Sequence, residues 1–227
     1  MTVKTIRRIL AAAILFLAAA AQAAPPAVIR AGLVRGRDNI SALAAAGPEM
    51  WGKYPALERI EFVWLEDGEQ IDALISGKVD FAASVRASQV IMAASKGADL
   101  RIAGISRRPR SPVMPEGTPD DDDELVSAVT GRTAMIRNAA VRAVLLVQAE
   151  AAAEAVSHPA LLTAPFGISL TEVEKIVSES SLDPLLTEYD YRALGRTQQR
   201  LRALGLADDR QLRALIYNRQ LRMLIPT

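Results

Sequence analysis

The chain has 227 residues, half of them hydrophobic, with 27 basic against 26 acidic residues and no cysteine. The near-neutral charge excludes the strongly basic nucleic-acid-binding domains, and the lack of cysteine excludes a fold held together by disulfides. A chain of this length can bury a core of its own, as one large domain or two small lobes.

The first 23 residues have the pattern of a secretory signal peptide. Three basic residues precede an unbroken apolar run over 9–21, and Ala-Gln-Ala at 21–23 is typical of a signal-peptidase site. The run has 13 residues, fewer than the roughly 20 that span a bilayer; the alternative is an uncleaved N-terminal anchor. We predict cleavage after residue 23, a periplasmic mature chain of net charge −2 and no stable membrane span after cleavage.

From residue 28 to 106, short β-rich runs alternate with helical patterns. The sequence predicts strands over 28–34, 59–65, 79–84 and 100–106, and helices over 39–50, 69–76 and 88–96. Gly77 and Gly97 follow the last two helices, where a left-handed residue ends a helix. This alternation predicts an α/β unit with a mainly parallel sheet.

From residue 138 onward the pattern is helical. Apolar residues three and four apart predict helices over 139–156, 170–178 and 189–204, and Ser169 or Thr171 is expected to cap the second. The segment between the two patterns is rich in Pro, Arg and Asp. We therefore divide the chain into a signal peptide (1–23), a first α/β lobe (24–106), a linker with a reduced second lobe (107–137) and a C-terminal helical region (138–227).

Residues 47–53 almost match a phosphate-binding loop with their sequence GPEMWGK. The Ser or Thr that should follow the lysine is missing, and Pro55 opposes a helix that starts at Lys53. Gly47 is expected to end the helix over 39–50, which places the segment between a helix and a strand. We interpret it as a helix terminus and predict no nucleotide binding.

The most specific stretch covers 69–84 and reads EQIDALISGKVDFAAS. A helix that ends at Gly77 leads into a strand carrying Asp80. Together with the strands and helices around it, this stretch resembles the periplasmic substrate-binding proteins of ABC importers, of the aliphatic sulfonate, taurine, nitrate and thiamine-precursor type. The resemblance covers about 28–106 and 138–206.

The resemblance implies a periplasmic-binding-protein-like lobe and a solute-binding function without enzymatic activity or cofactor. It also implies a small organic anion such as an alkanesulfonate as ligand, and the membrane subunits of an ABC transporter as partners. Members of the family clamp the ligand between two lobes, whereas only 31 residues, 107–137, separate the first lobe from the helical region here. The alternative is therefore an exported interaction module that kept a truncated fold without a transport ligand.

A ligand of such an α/β unit is expected at the carboxyl ends of the strands, where helix N-termini converge. Three loops meet this condition and contain eight candidate ligand-binding residues. These are Arg35, Arg37, Asn39, Asp67, Gly68, Ser84, Arg86 and Ser88. Hydroxyl and backbone N–H groups near Ser88 can hold a sulfonate or carboxylate oxygen, and an arginine can add a charge-assisted hydrogen bond. The alternative is that Ser88 only caps a helix and the arginines are solvated.

Three other features are interpreted without a specific function. The acidic run 120–124 lacks the spacing and glycine of a calcium loop and is interpreted as the solvated start of a helix. His158 is the only histidine, so a zinc site or a Ser-His-Asp triad has little support. The arginines between 192 and 222 are expected on a solvated helix face, with a membrane-surface role as the alternative. We predict no metal site and no catalytic residue.

Overall fold

A six-stranded sheet forms the centre of the computed structural model, which describes residues 26–35, 40–109, 124–209 and 212–217. The strands are β1 (Ala27–Val34), β2 (Leu57–Leu65), β3 (Phe81–Arg86), β4 (Leu100–Pro109), β5 (Leu125–Thr130) and β6 (Ser180–Ser181). Their order across the sheet is β2-β1-β3-β5-β4-β6. β1 pairs in parallel with β2 and β3, whereas β5 is antiparallel to β3 and β4, and β6 to β4. The first four strands therefore point in one direction, as predicted.

Helices cover both faces of the sheet. They are α1 (Pro48–Trp51), α2 (Gln70–Ile75), α3 (Ala87–Ser95), α4 (Gly131–Ile136), α5 (Asn138–Ser157), α6 (Thr163–Phe166), α7 (Leu170–Glu179), α8 (Glu188–Ala203) and α9 (Leu212–Leu215). One core joins β1, β3 and β5 to α1, α4 and α5, and a second core on the other face includes residues of α2, α3 and α8. None of the helices in the described part of the chain combines the length and the apolar composition of a membrane span.

Glycines end the predicted helices in the first half of the chain. Gly77 has φ +73° and Gly97 has φ +100°, which confirms both left-handed positions. The region predicted as a single helix over 39–50 differs, because Ser41 caps a 3₁₀ turn and a separate helix begins at Pro48 with Gly47 as its N-cap. The prediction that Gly47 ends a helix is therefore wrong. Proline has no N–H to donate and suits the first turn of a new helix.

The segment 47–53, which resembles a phosphate-binding loop, contains α1 and lies between the 3₁₀ turn over Ala42–Ala45 and β2. Lys53 follows the end of α1, and its ammonium group pairs with the carboxylate of Glu150 on α5. Trp51 packs edge-on against Phe62, with 6.4 Å between the ring centroids. The segment therefore packs on the sheet and on α5.

The segment 107–137 contributes to the same sheet. It supplies the last residues of β4, all of β5 and α4, and β5 runs between β3 and β4. Residues 110–123, which include most of the acidic run, lie outside the described residues. The end of that run, Glu124, is buried and precedes a strand, so the predicted helix start after it is wrong.

The helices of the C-terminal half agree with the predicted ranges. Ser169 caps α7 and forms a reciprocal capping box with Glu172, which decides between the two predicted caps. Three arginines of α8 (Arg192, Arg196 and Arg200) lie four residues apart and are exposed, as expected of a solvated face. The side chains of the arginines from 210 onward lie outside the described part, as do residues 1–25 with the predicted signal peptide.

Candidate ligand-binding site

The carboxyl ends of β1, β2 and β3 meet at one edge of the sheet because these strands are parallel neighbours. The backbone N–H of Arg35 donates a hydrogen bond to the carbonyl of Leu65 at 3.4 Å. The loops that follow β1 and β2 therefore begin side by side. This edge is where the sequence predicts a ligand.

Arg35 is held against the sheet surface. Its side chain is exposed, and its guanidinium carbon lies 4.8 Å from the centroid of the Trp64 ring. Trp64 in turn packs edge-on against Phe166, with ring centroids 5.6 Å apart. A cation–π contact of this kind contributes about 0.5–1 kcal/mol at an exposed site and leaves the positive charge available to a ligand. Residues 36–39, with the candidates Arg37 and Asn39, lie outside the described residues.

Gln70 connects the loop after β2 to the end of β3. Its side-chain oxygen accepts a hydrogen bond from the N–H of Gly68 at 2.9 Å, and its side-chain nitrogen donates to the carbonyl of Ser84 at 3.4 Å. Gln70 is buried, whereas Asp67 and Gly68 are exposed. The sequence reasoning missed Gln70, although a signal was available: Gln70, Ala73 and Leu74 have the spacing of one helix face, and all three are buried.

Ser84 lies in a bulge near the end of β3. Its φ is +58°, and the register with β5 shifts between Ala82 and Val85. The bulge places Ala82 and Val85 in the same core, which a regular strand would not do. The N–H of Ser84 donates to the hydroxyl oxygen of Ser106 at 2.8 Å, while its own buried hydroxyl has no hydrogen-bond partner among the described residues.

Arg86 and Ser88 lie where β3 passes into α3. Arg86 is the N-cap residue of α3 and is half-buried. Ser88 lies in the first turn and is half-buried, so it is not the N-cap residue. The first N–H of α3, that of Ala87, donates to the carbonyl of Glu124 at 2.9 Å. The start of α3 therefore faces the same edge as the loops after β1 and β2.

Asp80 belongs to the stretch that carries the family resemblance, but it lies away from this edge. Its carboxylate accepts hydrogen bonds from the Nε and Nη2 atoms of Arg30 at 3.0 and 3.2 Å, and Nη1 of Arg137 lies 3.2 Å from it. The N–H of Asp80 also donates to the carbonyl of Arg30. Asp80 therefore ties β1, the start of β3 and the junction of α4 and α5 together.

The remaining candidate for polar chemistry, His158, is exposed at the end of α5. Its Nδ1 atom lies 3.0 Å from the carboxylate of Glu154, one helical turn earlier. Within the described ranges, His, Asp and Glu side chains form no group of three or more that could hold a metal ion.

No protein-family model and no curated protein sequence matches the chain. Solved structures match its fold. The ligand-binding component of an ABC-type import system from Staphylococcus aureus is 11% identical, with a TM-score of 0.64 over 87% of this chain and 98% of that chain. The periplasmic aliphatic sulphonate-binding protein SsuA from Escherichia coli is 16% identical, with a TM-score of 0.63 over 85% and 92%. The desulfurization enzyme DszB is 12% identical, with a TM-score of 0.59 over 86% and 98%.

These matches establish that the chain has the fold of the periplasmic binding proteins. The predicted fold class and the resemblance to sulfonate-type binding proteins are confirmed at this level. The same fold carries binding proteins and an enzyme, so function has to be argued from the site.

Proposed function

We propose that the chain is the periplasmic solute-binding component of an ABC importer and binds a small organic anion such as an alkanesulfonate. The observation that carries this proposal is the grouping of Arg35, Arg86 and the start of α3 at one edge of the sheet. Arginine forms charge-assisted hydrogen bonds with anionic oxygens, and the N-terminus of a helix favours negative charge. The sulphonate-binding protein among the structural neighbours supports the same ligand class.

Acidic side chains near this edge lie on the loop after β2 and just before β5, where buried Glu124 accepts a hydrogen bond from the first N–H of α3 with its carbonyl. Glu69 accepts a hydrogen bond from the backbone N–H of Glu66 at 3.2 Å, so its carboxylate is turned toward its own loop. Asp67 is exposed. The anion is expected beside Arg35 and Arg86, where the attraction has to be local because the mature chain is slightly negative.

We propose a binding function without catalysis because the described candidates that follow β1 and β3 combine guanidinium, hydroxyl and backbone N–H groups. Such a set holds an anion, whereas acyl or group transfer needs a nucleophile in contact with a base. DszB has the same fold and is an enzyme, so the distinction depends on these side chains. The partners that this proposal implies are the membrane subunits of the transporter.

The experiment is a thermal-shift screen of the chain from residue 24 onward against alkanesulfonates, carboxylates, cations and sugars. An anion at a hundred times its dissociation constant should stabilise the protein by about 2.7 kcal/mol. The double variant Arg35→Ala/Arg86→Ala should bind at least tenfold more weakly, a loss of about 1.4 kcal/mol. Arg59→Ala is the matched control, because Arg59 lies near the start of β2. Unchanged affinity in the double variant would show that the anion binds elsewhere on the protein and not at Arg35 and Arg86.

The periplasmic location has its own test. The proposal depends on the signal peptide over 1–23, and mass spectrometry of the protein from its native host should find a mature N-terminus near Ala24. A full-length cytosolic product would exclude this location and the transport function with it.

An exported interaction module is the second candidate function. The observation that favours it is that the described residues form one sheet unit, and only 15 residues, 110–124, separate β4 from β5. A second lobe of the kind that the resemblance implies does not fit in that space. Absence of a thermal shift with every compound would favour this module over the solute-binding protein.

A further inference from the structure

A line of buried polar side chains runs from β3 to α5. It consists of Ser84 on β3, Ser106 on β4, Ser127 on β5 and Gln148 on α5, each at most 1% exposed. The N–H of Ser84 donates to the hydroxyl oxygen of Ser106 at 2.8 Å. The Ser106 and Ser127 hydroxyl oxygens lie 3.0 Å apart, and Ser127 donates to the side-chain oxygen of Gln148 at 3.2 Å.

The hydrogen bonds of this line all point toward Gln148. A serine hydroxyl has one proton, and the proton of Ser127 is used on Gln148. Ser106 must therefore donate to Ser127. The line ends at the side-chain nitrogen of Gln148, whose two N–H donors are buried without a partner in the described protein. Hydrogen bonds in such a row polarise one another, which strengthens Gln148 as a donor.

Ser84, at the other end of the line, is held in an unfavourable state. Within the described part of the chain its buried hydroxyl has no partner, and its φ of +58° is the one positive value other than those of glycines. Glycine would adopt this conformation without strain, and buried polar groups without partners are rare in folded proteins. Backbone strain of this kind is typical of ligand sites, where a side chain is needed in one position.

We propose that Ser84 and Gln148 form the buried floor of the anion site, where oxygen atoms of the ligand accept hydrogen bonds from both. This inference rests on the proposed function and deepens it. Two neutral, buried donors without partners among the described residues suit a group that only accepts, such as a sulfonate, and exclude a cation. The floor also places a ligand contact on α5, so that one sheet unit supplies both the rim arginines and the buried donors.

Two variants and a control test the floor. Ser84→Gly removes the hydroxyl and the strain, and Gln148→Met keeps the size of the side chain without its donors. Gln198→Met is the control, because Gln198 is also buried but lies on α8 at the other face of the sheet. Melting temperatures without ligand and affinities for methanesulfonate, ethanesulfonate and sulfate are measured for each.

Ser84→Gly should raise the melting temperature of the ligand-free protein. It should also lower, at least tenfold, the affinity for whichever anion binds to wild type. Gln148→Met should lose at least as much anion affinity as Ser84→Gly, and its melting temperature should be no lower than that of Gln198→Met. The anion affinity of Gln198→Met should equal that of wild type. A purely structural serine would not combine higher stability with lost binding. Anion affinities equal to wild type in both variants would overturn the inference and leave the proposed function intact.

A wild-type protein that binds none of the three anions would contradict the proposed function instead. A crystal structure of the protein purified from its native host then decides the inference. A co-purified solute with an oxygen on Gln148 and Ser84 would support it. A water molecule alone, or a reversed Gln148 amide with all its groups paired to protein, would overturn it.

Discussion

The ion pair between Arg108 and Asp190 is buried, and we expect burial to determine how much such a pair contributes to the stability of this protein. Nε of Arg108 lies 2.9 Å from the Asp190 carboxylate, and the two side chains are 11% and 0% exposed. Arg108 also donates to the carbonyl of Leu185 at 2.5 Å. Asp190 accepts from the hydroxyl of Thr187, the N-cap residue of α8, and completes its capping box. The pair therefore fastens the start of α8 to the end of β4.

Arg108→Met should destabilise the fold by about 3–5 kcal/mol, because it leaves a buried carboxylate with only the donors of its capping box. This is a large part of the roughly 5–15 kcal/mol by which a domain is stable. Arg59→Met is the matched control. Arg59 and Glu61 are as close, at 2.6 Å, but 54% and 42% exposed, so Arg59→Met should cost far less than Arg108→Met.

Urea unfolding of the mature chain, followed by circular dichroism, measures both losses by linear extrapolation. The double variant Arg108→Met/Asp190→Asn should recover part of the loss, because it no longer buries an unpaired charge. If Arg108→Met costs no more than Arg59→Met, burial does not control the value of this pair and the reasoning is refuted.

Three further predictions concern glycines and a tyrosine. Gly77→Ala should lower the free energy of unfolding by about 1 kcal/mol, because φ is +73° and there is open space around the new Cβ. The control Gly195→Ala lies within a helix with open space around the new Cβ and should not lower the free energy of unfolding. Equal losses in the two variants would contradict the role of the positive φ. Gly104→Ala should cost about 1–3 kcal/mol, since its Cβ would lie 2.6 Å from the Pro184 carbonyl oxygen; a neutral urea midpoint would show that the strand can move. Burial raises the pKa of Tyr217 to about 12, so the folded protein holds this proton more tightly than the unfolded chain. The resulting stability is complete below pH 10 or so and is lost as the pH rises toward about 12. Burial also raises the pKa of Tyr54, so the phenolate absorbance near this upper limit should be smaller by one tyrosine in Tyr217→Phe, and an unchanged titration would exclude the assignment.

Local patterns in the sequence were sufficient for the first four strands and for most helices. Their burial repeats every two or every three to four residues, and such repeats are visible in a single chain. The region around Pro48 was misread because apolar spacing continues across a residue that starts a new helix. The place of β5 between β3 and β4 was not predictable in this way, since strand pairing joins residues far apart in the chain.

The candidate site was predictable as an edge of the sheet and less so as a set of side chains. Parallel strands bring their carboxyl ends together whatever the loop residues are, so Arg35 and Arg86 share an edge by topology. Gln70 and Gln148 were missed because each was counted within a helical pattern, although each is a polar residue on a buried helix face. The positive φ of Ser84 is a property of the bulge, and it cannot be inferred from the residue type.

Salt separates the two parts of the proposed site. The rim arginines, Arg35 and Arg86, are exposed or half-buried, so salt screens their charges, with a screening length of about 10 Å at 0.1 M. The donors of Ser84 and Gln148 are buried and neutral. Anion affinity of wild type should therefore fall as salt rises. The weaker affinity that remains in Arg35→Ala/Arg86→Ala should change little over the same range, because the buried floor then holds the ligand alone. Titrations of both proteins at several concentrations of a non-binding salt measure this. An equal salt dependence in both would mean that other exposed charges, and not the floor, hold the anion.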